Sequence, residues 1–162
     1  MKVTAQEEYG LRCLLQVAAQ TTEDPLTLTE ISRREGMTVP HVAKIMGLLR
    51  QKGLVESVRG RSGGYVLSRP ASRISVLEVL LALGDRIFDS EYCDRYAGAD
   101  QKQCVHVTGC SIRPVWSRVE AIVSDVMRRT SIADLIRLEE QALSRSMDER
   151  SRLGTLLHLD PM

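Results

Sequence analysis

Helix-stop and turn signals between residues 24 and 68 restrict the fold of this chain more than any other feature. Asp24-Pro25 ends an opening helical segment, and Thr27 with Glu30 has the form of a capping box, each side chain taking an orphan backbone N–H. Gly36 supplies the stop, which predicts a short helix near 28–35. A second helix follows at once: Pro40 suits a first turn, where its missing N–H is not needed, and Gly53 closes it. Val39, Val42, Ile45, Met46 and Leu49 fall on one side of that helix. Pro40, Lys44, Gly47 and Gln51 fall on the other, flanked by His41 and Ala43 and preceded by Thr38. Two short helices with a tight turn, the second holding its cation away from its apolar stripe, predict a helix-turn-helix whose second member enters a major groove.

Two strands are expected next, Leu54–Val58 and Tyr65–Ser68, joined by a segment from Arg59 to Gly64 whose glycines permit positive φ in a hairpin turn. The hairpin is a wing tipped by Arg59 and Arg61. Such wings lie along the sugar-phosphate backbone or reach a minor groove. Charge agrees with this. The formal net charge is +1, but from Gly36 to Leu77 seven cations (Lys44, Arg50, Lys52, Arg59, Arg61, Arg69, Arg73) face Glu56 alone, so this segment is +6 and the remainder −5. A basic patch on an otherwise acidic molecule is the footprint of a nucleic-acid binder.

Leu11, Leu14, Leu15 and Ala18 recur at helical spacing and predict a first helix over roughly residues 4–20. Ile74–Leu83 reads as an apolar packing helix stopped by Gly84. Residues 85–110 show no period and exceed an ordinary connection. Then Ile112, Val115, Trp116, Val119, Ile122, Val123 and Val126 repeat at three- and four-residue steps. So wide a stripe wants a partner helix, either within the chain or as the same helix of a second subunit. Trp116, alone among valines, belongs to core or interface. A last helix is expected from Ser131 to about Leu143. The expected organisation is a winged-helix domain over 1–84, a cysteine loop over 85–110, a dimerisation helix and its follower over 111–143, and a polar tail over 144–162: a mainly α protein.

With 162 residues, 43% of them hydrophobic, the chain can bury one core of ordinary size. It has no apolar run of membrane-spanning length and no signal-peptide core, so the expectation is a cytoplasmic protein without a membrane partner. A reducing compartment turns clustered cysteines toward metal or redox chemistry. Cys93, Cys104 and Cys110 share the polar loop and suit an iron-sulfur centre. Zinc held by the three thiols and His106 competes with it, as does a thiol-oxidation switch. Cys13, on the first helix, reads as packing.

The helix-turn-helix, the wing from Arg59 to Tyr65, the helix Ile74–Leu83, the cysteine loop ending in Thr108-Gly109-Cys110 and the long helix after it together resemble the IscR/NsrR family of bacterial iron-sulfur transcription regulators. The resemblance covers residues 1–143. It implies a homodimer on palindromic promoter DNA whose affinity is set by an iron-sulfur cluster, 2Fe–2S in preference to 4Fe–4S. Two departures stand out. Ten residues separate Cys93 from Cys104, more than the family's usual spacing, and Arg113 stands where some relatives carry a ligating histidine. A fourth ligand must then come from elsewhere: the resemblance points to Glu8 of a partner subunit, and His106 is the local rival. The chain shows no nucleotide-binding glycine loop and no nucleophile motif, so neither an enzyme nor a small-molecule substrate is expected. A winged-helix protein-interaction module is the alternative from another class, and the +6 segment argues against it.

Overall fold

The computed structural model describes residues 3–20, 24–60, 63–84, 106 and 109–157, with side chains as far as 146. The elements in order are α1 (Ala5–Ala18), α2 (Leu28–Glu35), α3 (Val39–Gln51), β1 (Val55–Val58), β2 (Gly64–Leu67), a 3-10 turn (Ala71–Arg73), α4 (Val76–Leu83), α5 (Arg113–Arg129) and α6 (Ile132–Leu157).

Local chemistry sets most of these boundaries. Thr4 Oγ accepts the Glu7 N–H at 3.2 Å while Glu7 Oε2 accepts the Thr4 N–H at 2.7 Å, a complete capping box at the start of α1. Thr27 and Glu30 repeat it on α2, as the sequence predicts, and Gly36 ends that helix in the left-handed conformation at φ 66°. Ser75 caps α4, and Ser131 with Asp134 caps α6. α3 differs: its N-cap is Thr38, Pro40 lies in its first turn, and the Thr38 side chain makes no capping bond.

α1, α2, α3 and α4 enclose the core together with Leu54, Val55, Ile74 and Ile132. Leu14, Ile31, Val42, Met46, Leu49 and Val79 are wholly buried within it. Fully burying such side chains contributes about 1.5–3 kcal/mol each before the entropy of ordering them. α1 crosses α4 closely enough that a Cβ on Gly10 would lie 2.1 Å from Leu83 Cδ1, so glycine sets the helix separation there. β1 and β2 pair antiparallel from Val55 with Leu67 to Val58 with Gly64. Leu26 extends the wing by exchanging backbone bonds of 3.0 and 2.9 Å with Tyr65.

Several expectations from sequence need correction. Val39, expected on the core stripe of α3, lies in the first turn, before the helix meets α1, and is exposed. Of the described wing glycines only Gly60 has positive φ, at 129°; Gly63 and Gly64 serve close approach, a Cβ on Gly64 falling 2.7 Å from Leu26 O. The apolar run from Ile74 splits, Ile74 accepting the Ile132 N–H at 2.9 Å as extended backbone and the helix starting after Ser75. The last helix does not stop at Leu143. It runs to Leu157 through the stretch expected to be a polar tail, because that stretch is rich in good helix formers and carries no proline before Pro161. Among the described residues no helix is long and apolar enough to cross a membrane.

Candidate functional site

The exposed side of α3 carries the predicted reading residues. Thr38, Pro40, His41, Lys44 and Gln51 are all exposed, while Val42, Ile45, Met46 and Leu49 on the opposite side are at most 1% exposed. The helix is therefore held from behind by a rigid apolar contact and offers polar groups in front. His41 is braced: its ring meets Tyr9 of α1 edge to face, centroids 5.4 Å apart. Arg50 and Lys52, which the sequence marks only as charge, are exposed at the C-terminal end of the same helix. Arg59 is exposed at the end of β1, and Arg61 lies outside the described residues.

One cation leaves the basic face. Arg69 bonds the Gly53 carbonyl at 3.0 Å and pairs with Glu78, so it ties the end of α3 to α4. Arg12 similarly pairs with Glu35 at 2.7 Å, joining α1 to α2.

The candidate sensor residues divide between described and undescribed parts of the chain. Cys93 and Cys104 lie outside the described residues. Cys110 is half-exposed just ahead of α5, and its Sγ accepts the Arg113 N–H at 3.3 Å. That bond and another from the Ile112 backbone hold its thiol below the ordinary thiol range, because donors at a helix start favour the thiolate. His106 is exposed, and its carbonyl accepts the Gly109 N–H at 3.2 Å. Cys13 behaves oppositely: burial, then the nearby Glu35 carboxylate, push its thiol up to about 12, as expected of a packing residue. Among the described residues no cluster of three or more His, Cys, Asp or Glu is poised around one point.

Glu7 and Glu8 separate cleanly. Glu8 is exposed. Glu7, whose sequence signal is the capping-box spacing from Thr4, is buried at the end of α4: a Cβ on Gly84 would sit 2.5 Å from its Oε1, and the neighbouring Gln6 side chain donates to the Leu83 carbonyl. Gly84 is thus required by the carboxylate lying over it, and not by its own backbone angles.

The predicted dimer stripe on α5 faces out of the chain. Ile112, Val115, Ile122 and Val126 are each 56–60% exposed, Trp116 37%, and Val119 and Val123 are half-buried; no residue of α5 is buried.

A helix-turn-helix with an exposed cationic helix and a two-stranded wing defines a winged-helix DNA-binding protein. Residues 3–138 match the Rrf2 family, described as iron-dependent transcriptional regulators, and the chain belongs to that family. It is 31% identical over 140 residues to the HTH-type transcriptional regulator IscR of Xenorhabdus nematophila, covering 86% of this chain and 82% of that one. The solved structure of T. potens IscR superimposes with a TM-score of 0.68 at 28% identity, over 88% of this chain and 90% of that chain. CymR, the global cysteine regulator of B. subtilis, shares the fold at a TM-score of 0.67 and 23% identity, over 85% and 98%. The protein is a DNA-binding transcription regulator and not an enzyme.

Proposed function

We propose that the protein acts as a homodimer on two-fold promoter sites and that an iron-sulfur cluster on Cys93, Cys104 and Cys110 sets its DNA affinity. The observation that carries the sensor half is Cys110, an accessible thiol drawn toward thiolate by the backbone at the start of α5. That is the donor chemistry an iron-sulfur cluster requires, and the IscR relatives point to the same cofactor. When bound, the cluster supplies a redox-active group whose state alters the protein around it. Glu8 of the partner subunit completes the ligand set in this reading: it is exposed, whereas Glu7 is committed to Thr4 and Gly84. His106, exposed and between Cys104 and Cys110 in sequence, is the rival ligand. The 2Fe–2S form is favoured, since it tolerates an unlike ligand at one iron.

In the DNA half, Lys44 and Gln51 read base edges, with Pro40 and His41 at the same end of the groove as the Thr38 hydroxyl, which is left free of capping. Arg59 and Arg61 hold the backbone or a minor groove. The dimer rests on α5. An outward apolar stripe of this extent marks an interaction surface, and the same stripe of a second copy is self-complementary. Spectra and mass of protein purified without oxygen test the reading. A brown dimer containing iron and sulfide is expected; a colourless protein with stoichiometric zinc, or a monomer on DNA, would overturn it.

A further inference from the structure

α5 meets α4 with the wrong face for ordinary helix packing. α4 presents Leu77, Leu80 and Leu81, and α5 answers them with Ser117, Glu120, Ala121, Ser124, Met127 and Arg128, of which only Met127 is a large apolar side chain. Its apolar stripe is turned away. The two faces do not close on each other, and a cavity of about 300 Å³ remains between the helices, with Leu81 42% exposed in its wall.

Two of the three charges on this cavity are unmatched among the described residues. Glu7 forms one end, with its Oε2 held by Thr4 and its Oε1 over Gly84. Glu120 and Arg128 also line it, and neither makes an ion pair or side-chain hydrogen bond with any described residue. One unpaired carboxylate, one unpaired guanidinium and an aliphatic wall call for an ammonium, a carboxylate and an aliphatic body in one small molecule.

We infer that the α4–α5 cavity binds a free aliphatic α-amino acid, its ammonium at Glu120, its carboxylate on Arg128 and its side chain against Leu77, Leu80 and Leu81. The site is independent of the cysteines. Because it joins the winged helix to α5, occupancy fixes one against the other.

Calorimetry on the full-length protein tests this with three probes: L-leucine, 3-methylbutylamine, which lacks the carboxylate, and 4-methylpentanoate, which lacks the ammonium. Leucine is expected to bind saturably below about 10 mM, with each half-probe about tenfold weaker or more. Arg128→Ala and Glu120→Gln, both accessible positions that leave the core intact, should each abolish the leucine heat. No saturable heat from leucine, equal binding of the amine alone, or full leucine binding by either variant would overturn the inference. Calorimetry on cluster-free protein gives this answer whatever the fate of the iron-sulfur reading.

Discussion

α3 and α5 are both amphipathic helices with an apolar residue every third or fourth position, yet they turn opposite sides to their own chain. On α3 the stripe Val42, Ile45, Met46 and Leu49 is sealed inside, and the polar side faces out. On α5 the side that faces α4 carries Ser117, Glu120, Ser124 and Arg128 with Ala121 and Met127, and Ile112, Val115, Ile122 and Val126 face out. The same pattern therefore has two meanings. α3 buries its apolar stripe in its own domain and turns its polar face outward; α5 packs on α4 through its other side and leaves its apolar stripe exposed, the stripe that the proposed dimer would cover. The core of the winged helix is closed by Ile132 of α6, whereas the stripe on α5 is left uncovered by the described residues.

The largest effect is expected from Ile122→Glu combined with Val126→Glu. The pair should halve the sedimenting mass and, by removing two-site attachment, weaken operator binding roughly 100- to 10,000-fold while the winged helix stays folded. A variant that remains dimeric would remove α5 as the interface. Leu49→Ala probes the other helix: opening a cavity in the closed core should cost about 2–5 kcal/mol in denaturant unfolding with the dimer contact untouched. A loss under about 1 kcal/mol, well short of the usual cost of such a cavity, would mean that the α3 stripe does not hold the domain as described.

The two described cysteines give an effect of intermediate size. At mildly alkaline pH an alkylating reagent should modify Cys110 in the cluster-free native protein and spare Cys13 until it unfolds; on the anaerobic protein Cys110→Ala should remove the cluster absorbance and Cys13→Ala should leave it. For the reading face, Lys44→Ala should cost about 1–3 kcal/mol on the cognate operator and relax one base position. Arg59→Ala should weaken all sequences alike and reduce the salt slope by about one. Titrating affinity against salt separates the two.

The smallest expected effect concerns the caps. Hydrogen bonds from the Ser131 side chain and backbone, with help from Arg137, draw the Asp134 carboxyl down to about 2, and Thr27 lowers Glu30 in the same way. A depressed folded-state pKa contributes stability that is complete above the unfolded value and is lost as pH falls through the folded one. For Asp134 the window runs from 3.8 down to about 2. Ser131→Ala should therefore flatten acid unfolding in that range and change nothing at neutral pH beyond the lost cap bond.

Much of this fold is legible in local signals. Thr27, Glu30, Gly36, Pro40 and Gly53 bound the helix-turn-helix because capping, left-handed stops and proline act over three or four residues, a range that sequence displays directly. The exposed face of α3 is legible for the same reason, since a stripe at helical spacing fixes its opposite side. Val39 escapes that rule because the helix has not yet met its neighbours there, and the end of α6 escapes it because apolar periodicity fades while helix propensity persists.

The order of elements, the basic face and the stripe on α5 are properties of neighbouring residues, and the chain displays them before it folds. The direction in which α5 turns is another matter, as are the commitment of Arg69 to Gly53 and Glu78 instead of DNA and the need for glycine at Gly84 beneath the Glu7 carboxylate. These arise only when the helices cross. The contacts involved join residues 9, 16 and 77 positions apart, and closing the chain over such distances depends on how whole helices pack, which no local pattern encodes.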